Sequence, residues 1–150
     1  GNLDSLTAGS PIPFSQELSH TRHYLELEQM RFGSRLNVIY DAPVTDFLIP
    51  PLTLQPIVEN AVRHGIVKRE EGGTLTISTA GTSEACTVTV TDDGIGFDPL
   101  KPMQDGKKHI GIQNVQKRLQ TQCHAILTIR SAPGCGTVAV ITLPRNTAGK

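Results

Sequence analysis

The 150 residues balance fourteen Lys and Arg against fourteen Asp and Glu, and 37% of them are apolar, which suits one domain with a hydrophobic core and removes any global electrostatic case for a nucleic-acid or anionic-membrane partner. No apolar run approaches the roughly 20 residues of a spanning helix, and no signal-peptide core opens the chain, so a soluble piece is expected, whether or not it is cut from a longer membrane protein. Three cysteines, Cys86, Cys123 and Cys135, lack CxxC or Cys/His spacing, which points to reduced thiols and away from structural zinc.

Residues 1–13 are rich in Gly, Ser and Pro and read as a linker; residues 14–150 read as the domain. From Phe14, the positions of Leu18, His23, Tyr24, Leu25, Leu27, Glu28, Met30 and Phe32 fit an amphipathic helix capped by Ser15 and closed by Gly33. Arg35 to Asp41 alternates as a strand with Leu36, Val38 and Tyr40 on one face, and Ala42 to Pro51 is a proline-punctuated connection. Leu54 to Gly65 is the stretch around which the rest is organised. Pro56 suits a first helical turn, Gly65 suits a C-cap, and Ile57, Val58, Ala61 and Val62 form a buried stripe. Asn60 and His64 stand one turn apart, as do Glu59 and Arg63, so a core helix carries polar groups towards solvent or a ligand.

A charged turn, Lys68 to Gly73, leads into an antiparallel pair, Thr74 to Thr79 and Ala85 to Thr91. The chain then breaks at Asp92-Asp93-Gly94-Ile95-Gly96-Phe97-Asp98-Pro99 and stays polar and patternless to Lys108. Helical spacing resumes over Ile110 to Gln122, with Ile112, Val115 and Leu119, and strands Ala125 to Ser131 and Thr137 to Leu143 flank Pro133-Gly134-Cys135-Gly136. The order of elements suggests one sheet covered by helices on one face.

Three glycine-bearing stretches, Asp92-x-Gly94-x-Gly96, Ile110-Gly111-Ile112 and Gly134-x-Gly136-Thr137, adjoin regular elements. Glycine lets backbone approach a ligand and frees N–H groups for phosphate oxygens, above all at a helix start such as Gly111 to Val115. None is a Walker A loop or a Gly-x-Gly-x-x-Gly opening a βαβ unit, and each alone reads as an ordinary turn. Their combination is more specific. Gln-Pro-Ile-Val-Glu-Asn-Ala-Val-Arg-His-Gly, Asp-Asp-Gly-Ile-Gly-Phe, Ile-Gly-Ile-x-Asn-Val-x-x-Arg-Leu and Gly-x-Gly-Thr, in that order, resemble the N, G1, G2 and G3 boxes of the GHKL ATPase superfamily. Within it the chain resembles the catalytic domain of LytS-like bacterial sensor histidine kinases, from about Phe14 to Pro144, because Glu17-Leu18 through Arg31-Phe32 also resembles the helix preceding that domain.

The resemblance implies a Bergerat-type α/β fold: a two-layer α+β sandwich with a mixed sheet and helices on one face. It implies Mg²⁺-ATP as ligand, with Asn60 ligating the metal through its side-chain oxygen. Glu59 would orient a metal-bound water or act as general base. Asp92 would accept a hydrogen bond from the adenine amino group, with Gly94 and Gly96 letting the chain pass the base. Arg63, His64 and Lys68 would approach phosphate, although a cation at a helix C-terminus is favourable for electrostatic reasons alone. Ile110, Gly111 and Asn114 would sit at the lid and helix start, and Thr137 near the adenine. The chain departs from the family at His109, where a glycine commonly begins the G2 Gly-x-Gly.

The same resemblance implies transfer of the γ-phosphoryl to a histidine of the same kinase, usually within a dimer, and onward to a response-regulator aspartate. It places the chain as a cytoplasmic domain of an inner-membrane sensor. His20 and His23 do not stand in a phosphoacceptor motif, so the acceptor is expected upstream. A nucleotide-dependent interaction module without catalysis is the alternative; a gyrase-like clamp is disfavoured by the absence of a transducer domain.

Overall fold

The computed structural model describes residues 10–98 and 110–145, excepting the side chains of 110–113 and 122–123. Strand β4 (Gly73–Gly81) and strand β5 (Ala85–Asp92) form the middle of the sheet because each alternates apolar and hydroxyl residues. Leu75, Ile77, Val88 and Val90 are buried, while the threonines between them face outwards. β4 pairs antiparallel with β5, Thr76 opposite Thr91, and β5 pairs antiparallel with β7 (Thr137–Pro144), Asp92 opposite Thr137. The edges are β2 (Leu36–Asp41), parallel to β4, and β6 (Ile126–Ser131), antiparallel to β7. The sheet order is β2-β4-β5-β7-β6, a five-stranded mixed sheet.

Three helices cover one face: α1 (Phe14–Phe32), α2 (Leu54–His64) and α3 (Ile110–Cys123). An isolated helix of 11 residues, the length of α2, would be marginal in water. It is held by packing: Leu54, Ile57, Val58, Ala61 and Val62 are all buried, and each of the larger side chains contributes about 1.5–3 kcal/mol on leaving water. The helix ends where the sequence predicts, with the Gly65 N–H bonded to the Ala61 carbonyl at 3.1 Å. None of the described helices is long and apolar enough to cross a membrane.

α1 begins one residue earlier than its expected cap. Pro13 occupies the cap position and no side chain caps the helix; Ser15 lies inside the first turn. The Phe14 N–H is bonded instead to the Phe47 carbonyl at 2.8 Å, and the two rings stack with centroids 4.7 Å apart. Ile12 and Pro13, expected as the end of a linker, form a short strand β1 paired with β3 (Leu48–Ile49). Arg35, expected to start a strand, closes a 3-10 turn (Gly33–Arg35) because its guanidinium bonds the Val67 and Arg69 carbonyls at 2.7 and 3.1 Å. That bridge fixes the loop leaving α2 against the start of β2.

The entry to α2 is held from two sides. The Glu17 carboxylate, 2% exposed, accepts the N–H groups of Leu52, Thr53 and Leu54 at 3.2, 2.9 and 3.0 Å. A negative group is favoured there by the unpaired amides and dipole of a helix start. From α3, the Arg118 guanidinium donates to the Pro51 and Leu52 carbonyls at 3.2 and 2.6 Å. Glu17 therefore serves α2 as the cap that its own N-cap residue, Thr53, does not supply.

Candidate functional site

The end of β5 and the last turns of α2 face each other across two adjoining hollows of ≈ 190 and ≈ 250 Å³. The two adjoin, sharing Asn60, Ala61, Asp92 and Thr137 in their linings. Ile57, Val90, Ile129 and Ala139 give one an apolar lining; His64, Gly65, Gly96 and Phe97 bound the other. An apolar wall with a few convergent polar groups suits a flat, largely apolar ring with hydrogen-bonding edges.

Asp92 is the polar floor. Its carboxyl is buried, 4% exposed, and Oδ1 accepts the Gly94 N–H at 2.8 Å. Burial pushes its pKa up to about 6; the Gly94 hydrogen bond opposes that shift and the neighbouring Asp93 charge adds to it. Asp93 itself turns away, its Oδ1 accepting the Thr74 N–H at 2.7 Å. The two adjacent carboxylates thus divide into one facing the hollow and one holding the start of β4.

The glycines knit the backbone around that floor. Gly94 does not line the hollow: a Cβ there would overlap the backbone of Gly65, whose carbonyl accepts the Ile95 N–H at 3.3 Å. Gly136 has φ +74°, and a Cβ would overlap the Asp92 carbonyl oxygen. Ser131 completes the joint. Its hydroxyl accepts the Phe97 N–H at 2.9 Å and donates to the Gly136 carbonyl at 2.8 Å, so the contact of 2.8 Å to Thr137 has the threonine as donor. Thr137 therefore presents only acceptor capacity to the hollow.

Of the residues expected at the site, Asn60, His64, Asp92, Gly96 and Thr137 line the hollow. Glu59 does not. It lies about 100° around α2 from Asn60, half-buried, with Oε2 accepting Gln55 Nε2 at 2.9 Å. Arg63 is exposed on the same side of α2, and Lys68 is exposed in the 3-10 turn Ile66–Lys68. Ile110 and Gly111 form the first turn of α3 and Asn114 is exposed on it. His109 and the polar, patternless stretch from Pro99 to Lys108 lie outside the described residues.

The sequence reading missed Gln55, Tyr24 and Ser131. Gln55 stands four residues before Glu59, the spacing at which helix side chains meet. Tyr24 reaches α2 from α1. Its hydroxyl is buried without a hydrogen-bond partner among the described residues. Burial, with the Glu28 and Glu59 carboxylates adding, pushes its pKa up to about 12; Arg63 opposes this without completing a hydrogen bond in this geometry.

Among the described residues no group of three His, Cys, Asp or Glu side chains forms a metal cage. Asn60 borders the hollow, and its amide oxygen would suit Mg²⁺ in another manner, since that ion takes one or two protein oxygens and completes its shell from phosphates and water.

A mixed sheet with helices on one face and a polar hollow between sheet and helix is the Bergerat arrangement of the GHKL fold. Residues 51–147 match the model of the Histidine kinase-, DNA gyrase B-, and HSP90-like ATPase family, and the chain belongs to that family. It is 38% identical over 130 residues to the uncharacterized protein YwpD of Bacillus subtilis, covering 83% of this chain and 47% of that one. It is 32% identical over 126 residues to the sensor protein LytS of Oceanobacillus iheyensis, covering 76% of this chain and 22% of that one. The chain thus spans less than half the length of these relatives. In fold it is similar to the histidine kinase domain of the blue-light activated histidine kinase EL346 of Erythrobacter litoralis, with a TM-score of 0.67 at 22% identity over 89% of this chain and 62% of that one.

Proposed function

We propose that the chain binds Mg²⁺-ATP in this hollow and donates the γ-phosphoryl group to a histidine carried elsewhere in a sensor kinase. The carrying observation is the buried Asp92 carboxyl facing Asn60 across a part-apolar hollow, in a chain of the ATPase family. Asp92 accepts the adenine amino hydrogen, and the apolar wall of Ile57, Val90, Ile129 and Ala139 takes the ring faces. Bound Mg²⁺ would spread the charge that develops on the transferring phosphoryl group. Asn60 would hold that ion, and His64, which also borders the hollow, faces the same end of the nucleotide.

The acceptor imidazole nitrogen bonds to the γ-phosphorus as the bond to the β,γ-bridging oxygen breaks and ADP leaves. Glu59 takes the proton that the imidazole sheds. Its placement around α2 from the hollow supports a nucleophile arriving from beside the nucleotide. Relay to a response-regulator aspartate, dimeric action and the cytoplasmic side of an inner-membrane sensor belong to the same reading.

Calorimetric titration of ATP, with and without Mg²⁺, tests it. For the wild-type chain, chelating Mg²⁺ is expected to weaken binding by about tenfold or more, the scale of one charge-assisted contact. Asn60→Ala is expected to bind equally weakly in both conditions. The chain alone should bind ATP without labelling itself. Full Mg²⁺ dependence in Asn60→Ala, or a stable phosphohistidine on the chain, contradicts the reading; binding without turnover by protein that retains the acceptor histidine favours the non-catalytic module.

A further inference from the structure

Three polar side chains stand in one row across the sheet. Ser131, the last residue of β6, pairs with Thr137 on β7, and Thr137 pairs with Asp92 on β5. Residues directly opposite each other in antiparallel strands share a face, with β-carbons about 4.5–5.5 Å apart. Thr137 and Asp92 both line the hollow, and Ser131 is next in the row. The Ser131 hydroxyl accepts the Phe97 N–H at 2.9 Å, donates to the Gly136 carbonyl at 2.8 Å and lies 2.8 Å from Thr137 Oγ1. A hydroxyl has one hydrogen. The Gly136 carbonyl takes that of Ser131, so the hydrogen of Thr137 points at Ser131 and away from the hollow. The backbone around this joint has no slack: the Gly134 N–H bonds the Ile95 carbonyl at 2.6 Å, and a Cβ on Gly96 would overlap the Ala132 carbonyl oxygen.

We propose that Ser131 is a positioning residue that sets base specificity: by holding the Thr137 hydrogen it turns Asp92 and Thr137 into a pair of acceptors for the two hydrogens of one amino group. The inference rests on the reading of the hollow as an adenine site with Asp92 at its floor. Asp92 is ionised above about pH 6 and then only accepts, with Oδ1 already taking the Gly94 N–H. The two hydrogens of an amino group on an aromatic ring diverge by about 120°, so acceptors at about 2.9 Å from its nitrogen stand about 5 Å apart. That is the spacing of two directly opposed side chains on neighbouring strands. A carbonyl in the same place meets two sets of lone pairs and no donor, and is rejected. Without Ser131 the Thr137 hydroxyl is free to turn, and one that can turn serves an amino group or a carbonyl equally well.

The test is a double-mutant cycle on base preference, the ratio of affinities for ATP and for inosine triphosphate, which bears a carbonyl in place of the amino group. It uses the wild-type chain, Ser131→Ala, Thr137→Val and the double variant, with Mg²⁺ at pH 7.5. Ser131→Ala is expected to lower the preference for ATP about tenfold, the scale of one hydrogen bond regained by the carbonyl. In the Thr137→Val background the same change is expected to move the ratio by less than about twofold, because Ser131 acts through that hydroxyl; a residue that merely held the loops together would move it in both backgrounds or in neither. Thr137→Val leaves the Ser131 bonds to Phe97 and Gly136 in place, so it is decisive even if Ser131→Ala does not fold. It is expected to weaken ATP binding about tenfold without raising the preference for ATP. An unchanged or higher preference in Ser131→Ala overturns the inference, as does an equal fall in both backgrounds, or a Thr137→Val variant that binds ATP as tightly as the wild type or prefers it more strongly. A wild-type chain that does not prefer ATP instead defeats the adenine reading of Asp92, and this inference with it.

Discussion

Asp92→Asn is expected to remove ATP binding while making the empty chain more stable. The unfolded carboxyl ionises near pH 3.8 and the folded one near about 6, burial being the main cause. Between these values the folded chain binds more protons than the unfolded one. The stability this group contributes is therefore fully present below pH 3.8 and is lost as pH rises through 6. At neutral pH the buried charge costs on the order of 3 kcal/mol, at 1.36 kcal/mol per pKa unit. Asparagine carries no charge and keeps an oxygen for the Gly94 N–H, but its new N–H groups need acceptors, which leaves a net gain of about 1–2 kcal/mol. Thermal unfolding at pH 7.5 should show Tm several degrees higher in the variant, with the advantage shrinking at pH 5. ATP affinity of the variant should fall by at least about a hundredfold, because an amide donor then faces the adenine amino group. Wild-type affinity should also weaken as pH falls below 6. A variant that is no more stable at neutral pH would show that solvent, and not apolar surroundings, governs the carboxyl.

Glu17→Ala is expected to be as damaging as emptying a core position. It removes a buried carboxylate that satisfies three backbone N–H groups at the start of α2, where loss of an ordinary side-chain cap costs about 1 kcal/mol. Three orphaned donors and the lost charge–dipole contact raise that to about 3–5 kcal/mol. Glu17→Gln, which keeps one acceptor oxygen, should lose about half as much. Urea unfolding measures both; a loss below about 1 kcal/mol for the alanine variant would mean that water enters and replaces the carboxylate.

α2 was legible to its last residue because its signals are local: Pro56 in the first turn, an apolar stripe at helical spacing, and Gly65 at the end. The faces of β4 and β5 were equally legible from the alternation of valines and threonines. Pairing was not. The parallel contact of β2 with β4 and the union of Ile12–Pro13 with Leu48–Ile49 join segments more than 30 residues apart, and no local pattern encodes them. Ser15 misled because capping residues are enriched at helix starts, whereas this start is fixed by Phe14 stacking on Phe47.

At the site, Asp92 stood out by following a strand and preceding glycines, and it lines the same hollow as Asn60. The glycines were legible as positions needing no side chain, but Gly94 and Gly136 are needed by the backbone of Gly65 and Asp92. Glu17 and Tyr24 were visible only as helix residues, since what each meets on α2 depends on how two helices are set against one another. Gln55 had a local signal, its four-residue spacing from Glu59.

Titrating ATP and inosine triphosphate in parallel into the wild-type chain, with Mg²⁺ at pH 7.5, decides whether Asp92 reads the amino group of adenine. Inosine carries a carbonyl where adenine carries the amino group and turns an acceptor towards the carboxylate. Inosine triphosphate is expected to bind at least about a hundredfold more weakly than ATP; equal affinities would rule out that contact and place the base away from Asp92.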